Sequence, residues 1–161
     1  MSLSDIAVIV VAAGRGSRMQ ELTADKPKSL IPFAGRPLIE WQLSALAENG
    51  LDDITIVTGY RAEQLEKYGT RTVKNPDWDK TNMVHSLFCA REVLHSGRPV
   101  LVIYADIIYE PRVPAELLYS GADAVTVVDF NWQDLWKLRL EDPLQDAETL
   151  RLSETGTILE I

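Results

Sequence analysis

Two glycines, a group of cations and one distant carboxylate are the residues of this chain best suited to chemistry. Gly14 and Gly16 stand one residue apart, directly after an apolar run. Arg15, Arg18 and Lys28 follow, with Lys28 behind Pro27. Glycines let backbone N–H groups approach a polyphosphate, and cations beside them neutralise it. The set predicts a phosphate-holding loop. Between Arg15 and Arg36 five cations (Arg15, Arg18, Lys26, Lys28, Arg36) outnumber two acids (Glu21, Asp25), so this segment carries +3 and the remainder −11. An acidic protein of net charge −8 with one basic loop suits a small anion. It does not suit general binding to nucleic acid or to an acidic membrane.

Two familiar phosphate motifs do not fit. A dinucleotide fingerprint needs a third glycine where Met19 stands, which opposes an NAD-binding oxidoreductase. The Gly-Lys-Ser/Thr ending of a Walker loop is also absent. The glycines alone could be a tight strand-to-helix turn; the surrounding cations favour phosphate. Asp106 closes the run Tyr104-Ala105-Asp106. A carboxylate at a strand end opposite a phosphate loop suits Mg²⁺, a hard cation that accepts one or two carboxylates plus phosphate oxygens. An aspartate that merely opens a turn is the plainer alternative.

Asn82 and Ser86 lie one turn apart at the start of a helix. They could meet an anion or a base edge, or serve as ordinary caps. Trp132 and Trp136 are four apart, with Asp129 and Asp134 beside them. Aromatic faces with carboxylates suit an ammonium group, and two tryptophans packing on a sheet is the alternative. His85 and Cys89 share a helix face, but a buried cysteine beside a packed or exposed histidine is the simpler account.

The elements that must position these residues follow from periodicity. Residues 6–12, 54–57, 71–74, 100–104 and 124–128 read as strands. Helices are expected at 37–49, 61–67, 83–94 (face Met83, Leu87, Ala90, Leu94) and 114–119, and strand-like pieces at 149–152 and 157–161. Asn49-Gly50 and Gly97 end the two longer helices. This alternation predicts an α/β fold with a mostly parallel sheet. Ligands of such sheets sit at the carboxyl ends of strands, where the glycine loop, Gly59-Tyr60 and Asp106 all fall.

The 161 residues suit a single domain, 46% apolar and 25% charged. Cys89 is the only cysteine, which fits a reducing cytoplasm. No signal peptide or membrane span is expected.

Together the motifs resemble the NTP-dependent nucleotidyltransferases. The matching residues are Val10-Val11-Ala12-Ala13-Gly14-Arg15-Gly16-Ser17-Arg18, Pro27-Lys28-Ser29-Leu30 and Gly35-Arg36-Pro37-Leu38-Ile39. The resemblance implies a Rossmann-like three-layer sandwich with a mostly parallel mixed sheet. It implies that residues 12–18 and Arg18 hold NTP phosphates, that Lys28 neutralises the attacked α-phosphate, and that Asp106 binds Mg²⁺. The string Asn75-x-x-Trp78-x-x-Thr81-Asn82-x-x-x-Ser86-Leu87, with Gly59-Tyr60 and Glu63-Gln64, is similar to the choline-phosphate cytidylyltransferase branch. There a similar segment lines the nucleotide and substrate site. The segment Trp132 to Thr149 looks similar to 2-aminoethylphosphonate cytidylyltransferases, and it makes Asp129, Trp132 and Trp136 candidates for the acceptor.

The implied reaction transfers CMP from CTP to a phosphorylated or phosphonate amine and releases pyrophosphate. The expected partners are an NTP, CTP by resemblance, and that small acceptor. A homo-oligomer is compatible with this reading. Family members continue into a Gly-x-Lys-Pro segment and a second metal carboxylate, so a truncated domain with weak nucleotide binding and poor turnover is expected. A sugar-1-phosphate nucleotidyltransferase and a non-catalytic nucleotide-binding regulatory domain are the rival readings.

Overall fold

A computed structural model describes residues 5–145, 147 and 150–160. The chain forms two compact units, Met1–Ala122 and Asp123–Ile161.

The first unit is built on β1 (Ala7–Ala12), β4 (Ile54–Thr58), β5 (Arg71–Lys74) and β6 (Val100–Tyr104). Between β1 and β4 come a two-stranded ribbon, β2 (Pro32–Phe33) and β3 (Arg36–Pro37), and helix α1 (Leu38–Glu48). The four long strands form one sheet in the order β5-β4-β1-β6, and every pair in it is parallel. β1 lies in the middle and is apolar along its whole length, as a strand covered on both faces must be.

Successive residues of β1 point to opposite faces. Val8, Val10 and Ala12 meet Ile39 and Leu46 of α1, and Leu117 and Leu118 of α4 (Arg112–Tyr119) pack on the same core. Ala7 and Ile9 meet Ala90 and Val93 on the other face. These two belong to the helical pair α2 (Met83–Cys89) and α3 (Arg91–Leu94), Ala90 being the junction. The result is the expected three-layer α/β sandwich. Each fully buried Ile or Leu in it contributes about 1.5–3 kcal/mol.

The strand order creates a switch point. From β1 the chain moves to β4 and β5 on one side, then crosses back to place β6 on the other. Ala12 pairs with Thr58, and Val11 pairs with both Val57 and Tyr104. The carboxyl ends of β1, β4 and β6 are therefore level.

Three local expectations differ. Residues 61–67 form only a 3₁₀ turn, Ala62–Gln64, entered through Arg61 at a left-handed φ of 48°. So short a segment gains too little to nucleate a full helix. The 83–94 helix is broken at Ala90 (φ −89°, ψ 26°), and its buried line is Ser86, Ala90 and Val93, while Met83 is exposed. Residues 124–128 are not a strand; Val125 and Val127 are exposed and pair with no strand among the described residues. β-branched residues stabilise a strand only where neighbours receive them.

The second unit contains α5 (Trp132–Lys137) and an antiparallel ribbon of β7 (Arg151–Leu152) and β8 (Ile158–Glu160). Gly156 at φ 81° turns the ribbon. The expected strand residues Thr149 and Ile161 lie outside the described residues.

Candidate nucleotide and phosphate site

Lys28 and Asp106, 78 positions apart, meet at the switch point. Lys28 Nζ donates to Asp106 Oδ2 at 2.7 Å, and both side chains remain partly exposed. Asp106 follows the end of β6, and Lys28 opens a 3₁₀ turn, Lys28–Leu30, behind the buried Pro27. The pair brings the basic loop and the distant carboxylate to one place.

The glycine loop leaves β1 at Ala12 and Ala13, both buried, and emerges at Gly14. Gly16 is left-handed, at φ 74°, and a Cβ there would lie 2.8 Å from Cβ of Lys28. Its glycine identity is therefore what lets Lys28 pack against the loop. Ser17 and Arg18 stand exposed in the 3₁₀ turn Ser17–Thr23. The buried Thr23 staples that turn, its Oγ1 donating to the carbonyls of Gly16 and Gln20, each at 3.2 Å. Arg15 turns back into the loop, with Nε on the Thr23 carbonyl and its guanidinium 5.6 Å from the Tyr60 ring centre.

Gly59 and Tyr60 close the site from β4. The Tyr60 N–H donates to the Ala13 carbonyl at 2.9 Å, and the Tyr60 hydroxyl donates to the Ala24 carbonyl. Gln64 Nε2 donates to the Asp25 carbonyl. A Cβ on Gly59 would fall 2.5 Å from both the Ala13 carbonyl oxygen and Cβ of Trp78. The Tyr60 ring lies 5.2 Å from Trp78, tilted by 57°. Thus β4's end clamps the phosphate loop and meets the segment that follows β5.

Asn75, which opens the string similar to the choline-phosphate cytidylyltransferase branch, organises that segment. It is fully buried. Its Nδ2 donates to Thr81 Oγ1 at 2.9 Å and Ser86 Oγ at 3.0 Å, and its Oδ1 accepts from the Asp77 N–H. Ser86 is consequently drawn inward and buried, and its hydroxyl donates to the Asn82 carbonyl. Asn82 stays exposed and caps α2, Oδ1 accepting from the His85 N–H at 3.0 Å. Both residues have the capping and packing work that sequence offered as the alternative to nucleotide contact.

In the second unit Trp132 and Trp136 meet edge to face, 6.5 Å apart and 76° between planes. Arg139 lies 5.5 Å over the Trp136 ring, so a cation from the chain already uses that face. Asp129 Oδ1 accepts from the Asn131 N–H as a turn.

Sequence reading missed Gln42. It lies on the buried face of α1 among Ile39, Ala45 and Leu46 and is itself buried. Nε2 donates to the carbonyls of Tyr104 (2.7 Å) and Ile107 (2.5 Å), which flank Asp106. A glutamine three residues after Ile39 and four before Leu46, hence on their helix face, was the available signal. Just beyond, burial pushes the Tyr109 phenol up to about 12, so it remains protonated.

No group of three or more His, Cys, Asp or Glu among the described residues could enclose a metal. A single exposed carboxylate beside a phosphate loop still fits Mg²⁺, which keeps waters and takes substrate phosphate oxygens as ligands. Among the described residues no helix is long and apolar enough to cross a membrane.

A parallel sheet with a cation and a carboxylate apposed at its switch point is the arrangement in which open α/β domains bind their ligands. The chain belongs to the MobA-like NTP transferase domain family, whose model matches residues 8–146. It is 35% identical over 162 residues to the CTP:phosphoglutamine cytidylyltransferase of Campylobacter jejuni, across 95% of this chain and 64% of that protein. It is 37% identical over 123 residues to the 2-aminoethylphosphonate cytidylyltransferase of Lancefieldella rimae, across 70% of this chain and 50% of that one. Among solved structures, the CTP:phosphocholine cytidylyltransferase of Streptococcus pneumoniae is similar, with TM-score 0.58 and 36% identity over 67% of this chain and 50% of its own. The chain thus spans half to just under two thirds of these proteins. The family and the fold agree with the resemblance read from the motifs.

Proposed function

We propose that this chain forms the nucleotide site of a Mg²⁺-dependent cytidylyltransferase. The protein transfers CMP from CTP to a phosphorylated or phosphonate amine and releases pyrophosphate. The observation that carries this reading is the 2.7 Å apposition of Lys28 and Asp106 across the sheet's switch point. The cytidylyltransferases among the similar proteins support CTP as donor and an amine-bearing acceptor.

The acceptor's phosphate or phosphonate oxygen is already anionic near neutral pH. It attacks the α-phosphorus of CTP; one P–O bond forms, the bond to the β-phosphate oxygen breaks, and pyrophosphate leaves with the electron pair. No strong base is required, so positioning and charge neutralisation supply most of the rate. The backbone at Ala12, Ala13, Gly14 and Gly16, with Arg15, Ser17 and Arg18, holds the phosphates. Lys28 leaves Asp106 to meet the charge that grows on the α-phosphate. Asp106 would hold Mg²⁺, which when bound supplies further neutralisation of phosphate charge. Gly59 and Tyr60 fix the loop from the side, and Asn82 and Ser86 border the nucleoside. Within the second unit, Asp129, Trp132 and Trp136 are the candidates for recognising an amine. Residues 1–161 act as one nucleotidyltransferase domain in this reading.

The test is pyrophosphate release with Mg²⁺ and each of CTP, ATP, GTP and UTP, adding phosphocholine, 2-aminoethylphosphonate or glucose-1-phosphate in turn. Release with CTP and one of the two amines is expected. Release with the sugar phosphate alone contradicts the acceptor class. NTP binding without release under any condition contradicts the enzyme reading.

A further inference from the structure

We propose that Gln42 is the positioning residue for Asp106, acting on the metal-binding half of the site from the hydrophobic core. The inference rests on the reading of Asp106 as the metal carboxylate. Gln42 is 1% exposed and sits in helix α1, on a face otherwise made of Ile39, Ala45 and Leu46. Burying an amide there is unfavourable unless its polar atoms find partners. Nε2 finds two, the carbonyls of Tyr104 and Ile107, and these also settle the orientation of the amide because both are acceptors. Oε1 is buried with no partner. The side chain is thus retained in the core for its two donated hydrogen bonds, at the cost of an orphaned acceptor.

Those two bonds have one geometric effect. Tyr104 ends β6, and Ile107 lies in the coil past the turn. Tying both carbonyls to one amide nitrogen sets how the backbone bends through Ala105 and Asp106. The Asp106 side chain itself is 42% exposed, and it meets the movable ammonium of Lys28. Its direction must therefore come from the backbone beneath it. Groups that orient a metal ligand from behind typically govern metal affinity by about 10- to 100-fold.

The experiment compares CTP affinity by calorimetry in chelator and in Mn²⁺, on the full chain, for wild type, Gln42→Met and Gln42→Leu. Both variants match the length or bulk of glutamine and lack its donors. The ratio of the two affinities reports the metal contribution alone. It should fall by about tenfold or more in both variants, the fall coming from weaker binding in Mn²⁺. Leu46→Ala, in the same buried helix face, should lower thermal stability and leave the ratio unchanged. Gln42→Asn, too short to reach both carbonyls, should show the same loss and serves if the apolar variants do not fold. A wild-type ratio in a folded Gln42 variant overturns the proposal, as does an equal fall in Leu46→Ala. A wild-type protein whose CTP affinity ignores Mn²⁺ overturns the reading of Asp106 and this proposal with it. A normal wild-type ratio that survives loss of Gln42 overturns this proposal alone.

Discussion

Lys28 Nζ and Asp106 Oδ2 stand 2.7 Å apart, each neutralising the other. In the proposed function they separate, the ammonium to a phosphate and the carboxylate to a metal. The exchange is inexpensive because both groups are partly exposed, and such pairs contribute only about 0–1 kcal/mol. The pair therefore stores the charges at the site without locking them. Lys28→Met should leave the melting temperature almost unchanged and lower kcat/KM by about 10²–10³-fold. Thermal melts and pyrophosphate release on the same preparation check both halves of that statement.

Gly16→Ala should damage the same site through the backbone. The added Cβ would lie 2.8 Å from Lys28 Cβ, on a residue at φ +74°. A stability loss of about 1–2 kcal/mol is expected from the left-handed conformation. The displaced Lys28 should also weaken CTP binding. For stability Gly14→Ala is the control, because a Cβ there meets nothing within 4 Å. Denaturant melts separate the two variants, and CTP titration measures the loss of binding in Gly16→Ala.

Asn75→Ala should remove the hub between β5 and α2. Thr81, Ser86 and the Asp77 N–H would lose a partner, Ser86 in a fully buried setting. Stability should fall by about 2–4 kcal/mol. Nucleotide affinity should fall with it, since the turn carrying Asn82 would no longer be held. Asn75→Asp keeps the acceptor for Asp77 but loses both donors and buries an unpaired carboxylate, so it should not restore the stability in urea melts.

At the opposite end of the sheet Asp53 bridges Arg71 and Arg98. Burial pushes its carboxyl up, but the Arg98 hydrogen bond, the charges of Arg71 and Arg98 and the Arg71 hydrogen bond together hold it below the ordinary aspartate range. A depressed carboxylate stabilises the fold above its unfolded pKa, and that contribution is lost as pH falls through the folded pKa. Asp53→Asn should therefore be less stable than wild type at pH 7, and the gap should close below about pH 4. Urea melts across that range measure it.

Much of this was legible in the residues. The alternation of apolar strands with helical faces led to the parallel sheet, and the sheet's carboxyl edge led to the meeting of the glycine loop with Asp106. The three losses have separate causes. Gln42 was overlooked, and Asn75 was named without its role as a hub, because their partners are backbone carbonyls and small hydroxyls that only the fold brings near. On the expected face of residues 83–94, Leu87, Ala90 and Leu94 pack on the core; Met83 alone is exposed, while Ser86, pulled inward by Asn75, and Val93, beyond the break at Ala90, are buried beside them. The 124–128 strand failed because β propensity does not supply a neighbour.

The division of labour between Lys28 and Asp106 is tested most directly by CTP affinity in wild type and Asp106→Asn, each measured in chelator and in Mg²⁺. Without metal the carboxylate competes with phosphate for Lys28, so Asp106→Asn should bind CTP tighter than wild type, by up to about fivefold. With Mg²⁺ the order should reverse, because only wild type retains the carboxylate for the cation. An Asp106→Asn protein that binds CTP more weakly in both conditions, or equally in both, would contradict the account.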